Sequence, residues 1–217
     1  MQGLAEFFEH GGLFMYLNVV CSAATVAVIV ERVIYFLGKG SVNARAFLEQ
    51  IRKLVAANNV DRAVKLCSAT EAPVARVARA GLTRINKGEA AMSTAIEETM
   101  ADVQPDLKKR IAVLWSIANI ATLLGLLGTI SGLIKSFAAV GSASPEQRSA
   151  LLSKGISEAM YNTAFGLGIA VTCMIGHVFL SGVAKTRQNE LESFSMKLEN
   201  MLAESGGAGG SQPGTGR

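Results

Sequence analysis

Three long runs of apolar residues, free of Lys, Arg, Asp and Glu, dominate the pattern along this chain. They extend from residue 10 to 30, from 111 to 134 and from 159 to 184. Each reaches the roughly 20 residues that a helix needs to cross about 30 Å of hydrocarbon. The pattern predicts an all-α membrane protein with three transmembrane helices.

Outside these runs, apolar residues recur at the three- and four-residue spacing of amphipathic helices. Residues 41–110 contain several such stretches, and one apolar face continues past the third run to about Ala203. We therefore expect a helical loop between spans one and two, and helical extensions of spans two and three beyond the membrane. The segment Glu89 to Arg110 is predicted to run directly into the second span, with Pro105 as its kink.

Positive charges are distributed unevenly around the runs. Thirteen Lys and Arg residues lie between Lys39 and Arg110, the first ten residues contain none, and residues 141–153 contain only Arg148. Short cytoplasmic segments retain such charges during membrane insertion. This predicts a periplasmic N-terminus, a large cytosolic loop and a cytoplasmic C-terminus, so that the extensions of spans two and three lie in the cytosol.

These observations divide the chain into eight segments. In chain order they are a periplasmic N-terminus (1–10), TM1 (11–37), a cytosolic helical loop running into TM2 (38–110), TM2 (111–140), a periplasmic loop (141–153), TM3 (154–184), a cytosolic helical extension (185–204) and a disordered Gly-rich tail (205–217).

Composition and charge disfavour several classes of function. The net charge of +4 comes from cations interspersed with acids, which membrane topology explains better than a nucleic-acid surface does. The cysteines Cys21, Cys67 and Cys173 show no metal-ligand or CxxC spacing, so we interpret them as packing thiols without a disulfide. No nucleophile and base pair, metal-ligand cluster or phosphate-binding loop is evident, so we expect neither an enzyme nor a metal or other cofactor.

Two threonines inside the apolar runs are the first candidate functional residues. Thr129 lies six residues before Lys135, about 9 Å along a helix, and Thr163 lies five residues after Glu158, about 7.5 Å. If Lys135 and Glu158 lie at similar depths in the membrane, the two hydroxyl groups also lie at nearly equal depth and line an ion path. The alternative is that each threonine bonds only to a carbonyl of its own helical turn.

Small residues surround both threonines. The glycines that we expect to allow close helix packing are Gly125, Gly128, Gly132, Gly166 and Gly168. Such packing would direct polar groups from both spans toward a shared interior. Glu158, at the edge of the third span, is either part of the ion path or a charge that complements a helix N-terminus.

The spans contain no aspartate or lysine that could bind and release a proton near the membrane centre. If ions are moved, a partner must supply that group.

The run LLGLLGTISG, from Leu123 to Gly132, and the later run GISEAMYNTAFGLGIAV, from Gly155 to Val171, resemble the membrane signature of the MotA/TolQ/ExbB proton-channel family. The three-span order is similar to the TolQ/ExbB branch. This resemblance implies a bacterial inner-membrane complex in which a homo-oligomer, a pentamer in the family, surrounds two single-span TolR/ExbD/MotB-like partners that carry a membrane aspartate. It places the pore-lining threonines at Thr129 and Thr163 and the span-three glutamate at Glu158.

The sequence departs from the family pattern at two positions. Thr122 and Thr172 stand where prolines are usual, so an expected kink is lost from each helix and a hydroxyl is gained.

The resemblance implies a ring-forming subunit of a motor driven by the proton-motive force, acting on an envelope effector. TonB-type import, Tol-type envelope maintenance, gliding motility and secretion remain open, and the departures favour gliding or another dedicated motor. The alternative is a structural scaffold of a membrane complex that conducts no ions.

Overall fold

The computed structural model describes the backbone of residues 12–38 and 42–210 and the side chains of residues 13–38 and 42–204. The regular structure in these ranges is entirely helical. In chain order the helices are α1 (Gly12–Gly38), α2 (Ala44–Ala56), α3 (Val60–Ser68), α4 (Pro73–Arg84), a 3-10 turn (Ile85–Lys87), α5 (Glu89–Lys108), α6 (Ile111–Ser142) and α7 (Pro145–Gly210).

The prediction of an all-α protein with three membrane-length helices is confirmed. Stretches of α1, α6 and α7 are long and apolar enough to cross a membrane. Large apolar side chains such as Leu123, Leu126 and Phe179 are exposed on these helices. An exposed apolar surface of this kind is stable in lipid, where water does not penalise it.

The ends of α7 differ from the predicted segments. Only Ala143 and Ser144 separate α6 from α7, where the sequence predicted a loop over residues 141–153. Pro145 fits the first turn of a helix because its missing N–H would be unpaired there, and Glu146 complements the N-terminal dipole. The other end of α7 is Gly210, beyond the predicted limit at residue 204. The predicted N-terminal segment 1–10 and tail residues 211–217 lie outside the described residues.

Helix α5 does not run directly into the second span, contrary to the prediction, because Lys109 and Arg110 separate it from α6. Lys109 is extended (φ −52°, ψ 136°) and Arg110 is left-handed (φ 63°). Pro105, the expected kink, lies inside α5 instead. A left-handed non-glycine residue is disfavoured sterically, so the interruption depends on its surroundings more than on local preference.

The described residues form two compact units, one built from residues 12–32 and Arg110–Leu180 and the other from residues 33–38, 42–109 and 181–210. Local sequence explains two helix starts in the second unit. The side chain of Asn43 caps α2 by accepting hydrogen bonds from the backbone N–H groups of Arg45 (3.1 Å) and Ala46 (3.3 Å). Pro73 occupies the first turn of α4.

The second unit has its own apolar core. Side chains from four of its helices and from α7 are buried there, namely Ile51, Ala63, Leu82, Ile96 and Leu198. The rings of Phe47 and Phe194 lie 6.4 Å apart between α2 and α7. Gln104 of α5 donates a hydrogen bond of 3.2 Å to Glu192 of α7. The amphipathic helices predicted between the spans therefore pack on one another and on the extension of the third span.

Candidate functional site

The site in the first unit begins with the contact between the antiparallel helices α6 and α7. Glycines bring the two backbones together, since a Cβ on Gly125 would lie 3.1 Å from the carbonyl oxygen of Asn162. A Cβ on Gly166 would lie 2.6 Å from the carbonyl oxygen of Ala121. Neither backbone atom can move aside without displacing a helix, so glycine is required for this close approach.

The same contact continues toward the α6–α7 connection. A Cβ on Gly128 would lie 2.8 Å from the Cβ of Asn162, and one on Gly132 would lie 3.3 Å from the Cβ of Ala159. Four of the five predicted packing glycines therefore lie against the facing helix.

Gly168 differs from the other four, because a Cβ there would have no neighbour within 4 Å. It lies two residues after Gly166, and two residues rotate a helix by about 200°. Gly168 thus faces away from α6, and its assignment to this contact is corrected.

The two predicted threonines use their hydroxyl groups differently. Thr163 donates a hydrogen bond of 3.3 Å to the carbonyl oxygen of Gly125 on the facing helix. Thr129 donates one of 2.6 Å to Leu126 in its own turn. Both side chains are half-buried, and each oxygen keeps lone pairs that can accept a hydrogen bond from water or from a protonated carboxyl group.

The depth of the two threonines follows from the pairing of the helices. Gly128 of α6 lies against Asn162 of α7. Thr129 and Thr163 each follow one of these residues, and the helices run in opposite directions. Their Cα atoms are therefore separated by about 3 Å along the helix axes.

Glu158 lies one turn before Asn162, and its side chain is half-buried. Asn162 donates a hydrogen bond of 3.4 Å to the backbone carbonyl of Glu158. The carboxylate therefore begins the same helical segment that carries Thr163, about 7.5 Å further along the axis.

Asn162 is a polar residue of this contact that the sequence interpretation missed. Its side chain is 4% exposed, and its Oδ1 has no hydrogen-bond partner among the described residues. Leaving a buried amide oxygen unpaired costs about 1–3 kcal/mol, which an ordered water would remove. The available signal was an amide directly beside Thr163 in an uncharged run.

Helix α1 carries a second missed feature, a line of buried polar residues at seven-residue spacing. Asn18, Thr25 and Arg32 are 0%, 2% and 3% exposed. Both amide atoms of Asn18 lack a hydrogen-bond partner within the described ranges. A seven-residue repeat on one helix face was visible in the sequence, so α1 is more than an apolar anchor.

Thr25 joins α1 to α7. Its hydroxyl donates a hydrogen bond of 2.8 Å to the carbonyl of Cys21, and its oxygen lies 3.0 Å from the sulfur of Cys173. Because the threonine proton is already donated, the thiol of Cys173 is the donor in the second contact. Cys173 is thus a buried packing residue with a specific polar neighbour.

The two threonines that stand where the family usually has proline lie in a different environment from Thr129 and Thr163. Thr122 and Thr172 are exposed, and each donates a hydrogen bond of 2.9 Å to the carbonyl four residues earlier, on Ala118 and Gly168 respectively. Helices α6 and α7 continue through both positions. The hydroxyls are satisfied locally and do not enter the α6–α7 contact.

Charged and aromatic groups lie at one end of the membrane helices of this unit. Arg110 forms a salt bridge with Glu31, and Arg32 lies 3.5 Å from the same carboxylate. The ring nitrogen Nδ1 of His177 lies 3.1 Å from the carbonyl oxygen of Ile111, which ties α7 to the first turn of α6.

Three apolar helices, with polar groups packed among small residues between two of them, define the class as a polytopic α-helical membrane protein with a polar helix–helix contact. The profile of the MotA/TolQ/ExbB proton channel family matches residues 69–193. The chain belongs to this family, which confirms the resemblance seen in the two glycine-rich runs.

Individual relatives extend the similarity beyond that profile. The chain is 31% identical over 162 residues to an ExbB-like 3 biopolymer transport protein of Synechocystis sp., which covers 74% of this chain and 77% of the relative. It is 29% identical over 198 residues to the biopolymer transport protein exbB1 of Vibrio cholerae, with coverage of 88% and 85%. An ExbB homolog of Methanothermobacter thermautotrophicus is 22% identical over 178 residues, covering 82% of this chain and 62% of the relative.

Proposed function

We propose that this protein is the ring-forming subunit of an inner-membrane energy transducer driven by the proton-motive force. Several copies surround single-span partners of the TolR, ExbD or MotB type, each carrying a membrane aspartate. Proton binding and release at that aspartate, beside Thr129, Thr163 and Glu158, drive mechanical work on an envelope process. A pentamer around two partners is the arrangement that the family resemblance supports.

The observation that carries this proposal is the α6–α7 contact itself. Thr163 hydrogen-bonds across the contact, and Asn162 beside it has a buried oxygen without a partner among the described residues. The apolar runs around them, residues 111–134 and 159–184, lack Asp, Glu, Lys and Arg. Such a segment can solvate a proton but cannot itself store one, so a second polypeptide must bring the titrating acid.

The proposed orientation places residues 1–10 in the periplasm and the C-terminus in the cytoplasm, because the cations are concentrated between residues 39 and 110. A reporter protein fused after Arg217 tests this. We expect a fluorescent reporter that folds only in the cytoplasm to be active, and an inactive reporter would contradict the orientation.

Replacing Thr163 with valine tests its role in proton passage, since valine keeps the shape and removes the hydroxyl. We expect proton flux through the complex with its partner to fall about 10-fold, since the loss of one hydrogen bond of about 1–1.5 kcal/mol corresponds to about that factor. Thr172→Val is the matched control, because Thr172 lies on the same helix and is exposed. Its flux should stay near that of the wild type.

Flux is measured in vesicles with an imposed pH gradient, after assembly has been checked by size-exclusion chromatography. Normal flux in an assembled Thr163→Val complex would contradict the proposed role. A short neighbouring reading frame, with one apolar span and an aspartate near its start, would identify the partner.

Among envelope processes we favour gliding motility or another dedicated motor over TonB-type import, Tol-type maintenance or secretion. The basis is the replacement of the usual prolines by Thr122 and Thr172, which removes an expected kink from each of the two span helices. Deletion of the chain tests this choice. Loss of surface motility with normal import and an intact envelope would support it, and the reverse result would contradict it.

A structural scaffold that conducts no ions is the second candidate. The observation that favours it is that both threonine hydroxyls are already satisfied by backbone carbonyls, at Leu126 and Gly125. This candidate predicts that valine is tolerated at both positions and that the complex dissipates no proton gradient.

A further inference from the structure

A cavity of about 620 Å³ lies in the unit formed by residues 33–38, 42–109 and 181–210, and it contains none of the candidate proton-path residues. The start of α2 forms one wall and the stretch of α7 after the third apolar run forms the other. The lining residues that matter for its chemistry are Arg45, Arg187, Asn189, Glu190, Ser193 and Lys197.

The cavity has an excess of positive charge. Three cations, Arg45, Arg187 and Lys197, line it against a single acid, Glu190. The Nη1 of Arg187 lies 2.9 Å from the Oε2 of Glu190, so this pair is internally neutralised. In the described part of the chain, Arg45 and Lys197 form no ion pair. Two uncompensated positive charges therefore face a space large enough for a ligand.

A neighbouring cavity shows that this excess is not general in the unit. The second cavity, of about 290 Å³, is lined by two cations, Arg52 and Lys197, and by two acids, Glu49 and Glu204. Its charges balance. Lys197 lines both cavities, so Arg45 is the unpaired cation that belongs to the larger cavity alone, and Arg52 supplies a matched control nearby.

The position of the larger cavity along α7 adds a second constraint. Arg187 is the third residue after Ala184, the last residue of the third apolar run, so it lies about 4.5 Å beyond that run. The polar headgroup layer on each side of a bilayer is about 5–7 Å thick. The guanidinium group is thus at headgroup level, and Lys197 lies about 15 Å further along the helix.

We propose that this cavity binds a phosphate-bearing anion. Guanidinium groups bind phosphate oxygens through paired N–H donors, and basic pockets at the membrane surface bind anionic lipid headgroups. Asn189 and Ser193 add neutral donors to the lining. The ligand is either the headgroup of an anionic phospholipid or a soluble phosphate compound. The proposal involves neither proton flow nor the partner subunit, so it is independent of the proposed function.

The test uses the full chain purified in mild detergent. Its binding of dioleoylphosphatidylglycerol and dioleoylphosphatidylcholine is compared by native mass spectrometry, and its binding of pyrophosphate by calorimetry. If a lipid is the ligand, we expect the anionic lipid to bind about 10-fold more tightly than the zwitterionic lipid, with affinity falling as salt rises. If the ligand is soluble, pyrophosphate binds instead and the two lipids do not differ.

Three variants decide whether the cavity is responsible. Arg45→Gln combined with Lys197→Gln should weaken binding of the preferred anion about 10-fold, and both side chains are exposed, so the fold should be retained. Glu190→Gln releases Arg187 and should tighten binding. Arg52→Gln, at the charge-balanced cavity, should leave affinity within about twofold of the wild type.

Two results would overturn the proposal. One is equal binding of the two lipids together with no binding of pyrophosphate. The other is anion binding that neither the double variant nor Glu190→Gln changes. If the double variant is not folded, as judged by its helical circular dichroism, the Glu190→Gln variant alone tests the proposal: tighter anion binding supports it, and unchanged or weaker binding overturns it.

Discussion

At the scale of single residues, Gly166 and Gly168 show how strictly position on a helix determines what a side chain meets. They lie two residues apart on α7. A Cβ at the first would lie 2.6 Å from a backbone oxygen of α6, and a Cβ at the second would have no neighbour within 4 Å. The two residues are chemically identical, but only Gly166 lies against α6.

This contrast predicts the effect of adding one methyl group. Gly166→Ala should force α6 and α7 apart and destabilise the chain by about 1–3 kcal/mol, the usual cost of overpacking. Gly168→Ala is the control and should be neutral or slightly stabilising, since alanine favours helix by about 1 kcal/mol over glycine. Thermal unfolding of the full chain in detergent measures both. Equal midpoints for the two variants would contradict the close contact.

At the scale of helices, the break between α5 and α6 is set by backbone conformation. Arg110 has a φ of 63°, which residues other than glycine, Asn and Asp adopt reluctantly, and its guanidinium group pairs with Glu31. Side-chain pairing and a strained backbone thus coincide at one residue. Helix α6 therefore begins directly after a residue whose backbone conformation is not helical.

Two substitutions at Arg110 separate the backbone from the charge. Both Arg110→Asn and Arg110→Val remove the salt bridge, but asparagine tolerates the left-handed conformation and a β-branched residue does not. We expect the valine variant to be less stable than the asparagine variant by about 1–2 kcal/mol. Thermal unfolding midpoints of the two variants provide the comparison. If they are the same, the left-handed backbone at this position is not required for stability.

Helix α3 holds a buried thiol whose ionisation opposes folding. Burial raises the pKa of Cys67 from 9.0 to about 11, with the positive charge of Arg79 acting weakly in the opposite direction. The thiol is therefore easier to ionise in the unfolded chain. Its contribution to stability is fully present below about pH 9 and is lost as the pH rises toward about 11.

The pH dependence of Cys67→Ala tests this ionisation. Between about pH 9 and about pH 11 the unfolding midpoint of the wild type should fall more steeply than that of the variant. The comparison uses slopes, because the cavity left by the smaller side chain lowers stability equally at every pH. Parallel slopes would show that the thiol does not titrate as its burial requires.

At the scale of the whole molecule, the chain supplies a membrane-spanning framework without an acid in the central parts of its spans. Hydroxyl and amide groups can solvate a proton, but only a titrating group can bind and release it. The proposed function therefore requires a titrating acid from a partner subunit.

Reconstitution tests this requirement for an acid from the partner. Vesicles containing the chain alone should hold an imposed pH gradient, and vesicles containing the chain with its single-span partner should discharge it. Replacing the partner's membrane aspartate with asparagine should restore the gradient to the level of the chain alone. Discharge by the chain alone would contradict the need for a partner acid.

Much of the fold could be predicted because the membrane imposes a simple rule. Uncharged runs long enough to span hydrocarbon must be helical, so the three spans and their approximate limits follow from composition. The amphipathic helices of residues 41–110 follow from spacing in the same way. The start of α7 at Pro145 was harder to place, since proline signals either a turn or a helix N-terminus.

The candidate site was only partly accessible from the sequence. The two threonine positions followed from apolar context, but the partner of each hydroxyl depended on which helix face meets which. Asn162, buried against Gly128, was missed because an amide looks alike whether it faces lipid, water or another helix.

The sequence by itself determined the number of membrane helices, the helical class and the family, because hydrophobic length and local motifs are properties of single segments. Only the tertiary structure decided that Thr163 bonds to Gly125 while Thr129 bonds within its own turn, and that cations gather around one cavity. Those outcomes depend on contacts between residues far apart in the chain. Helix packing creates such contacts, and no local pattern encodes them.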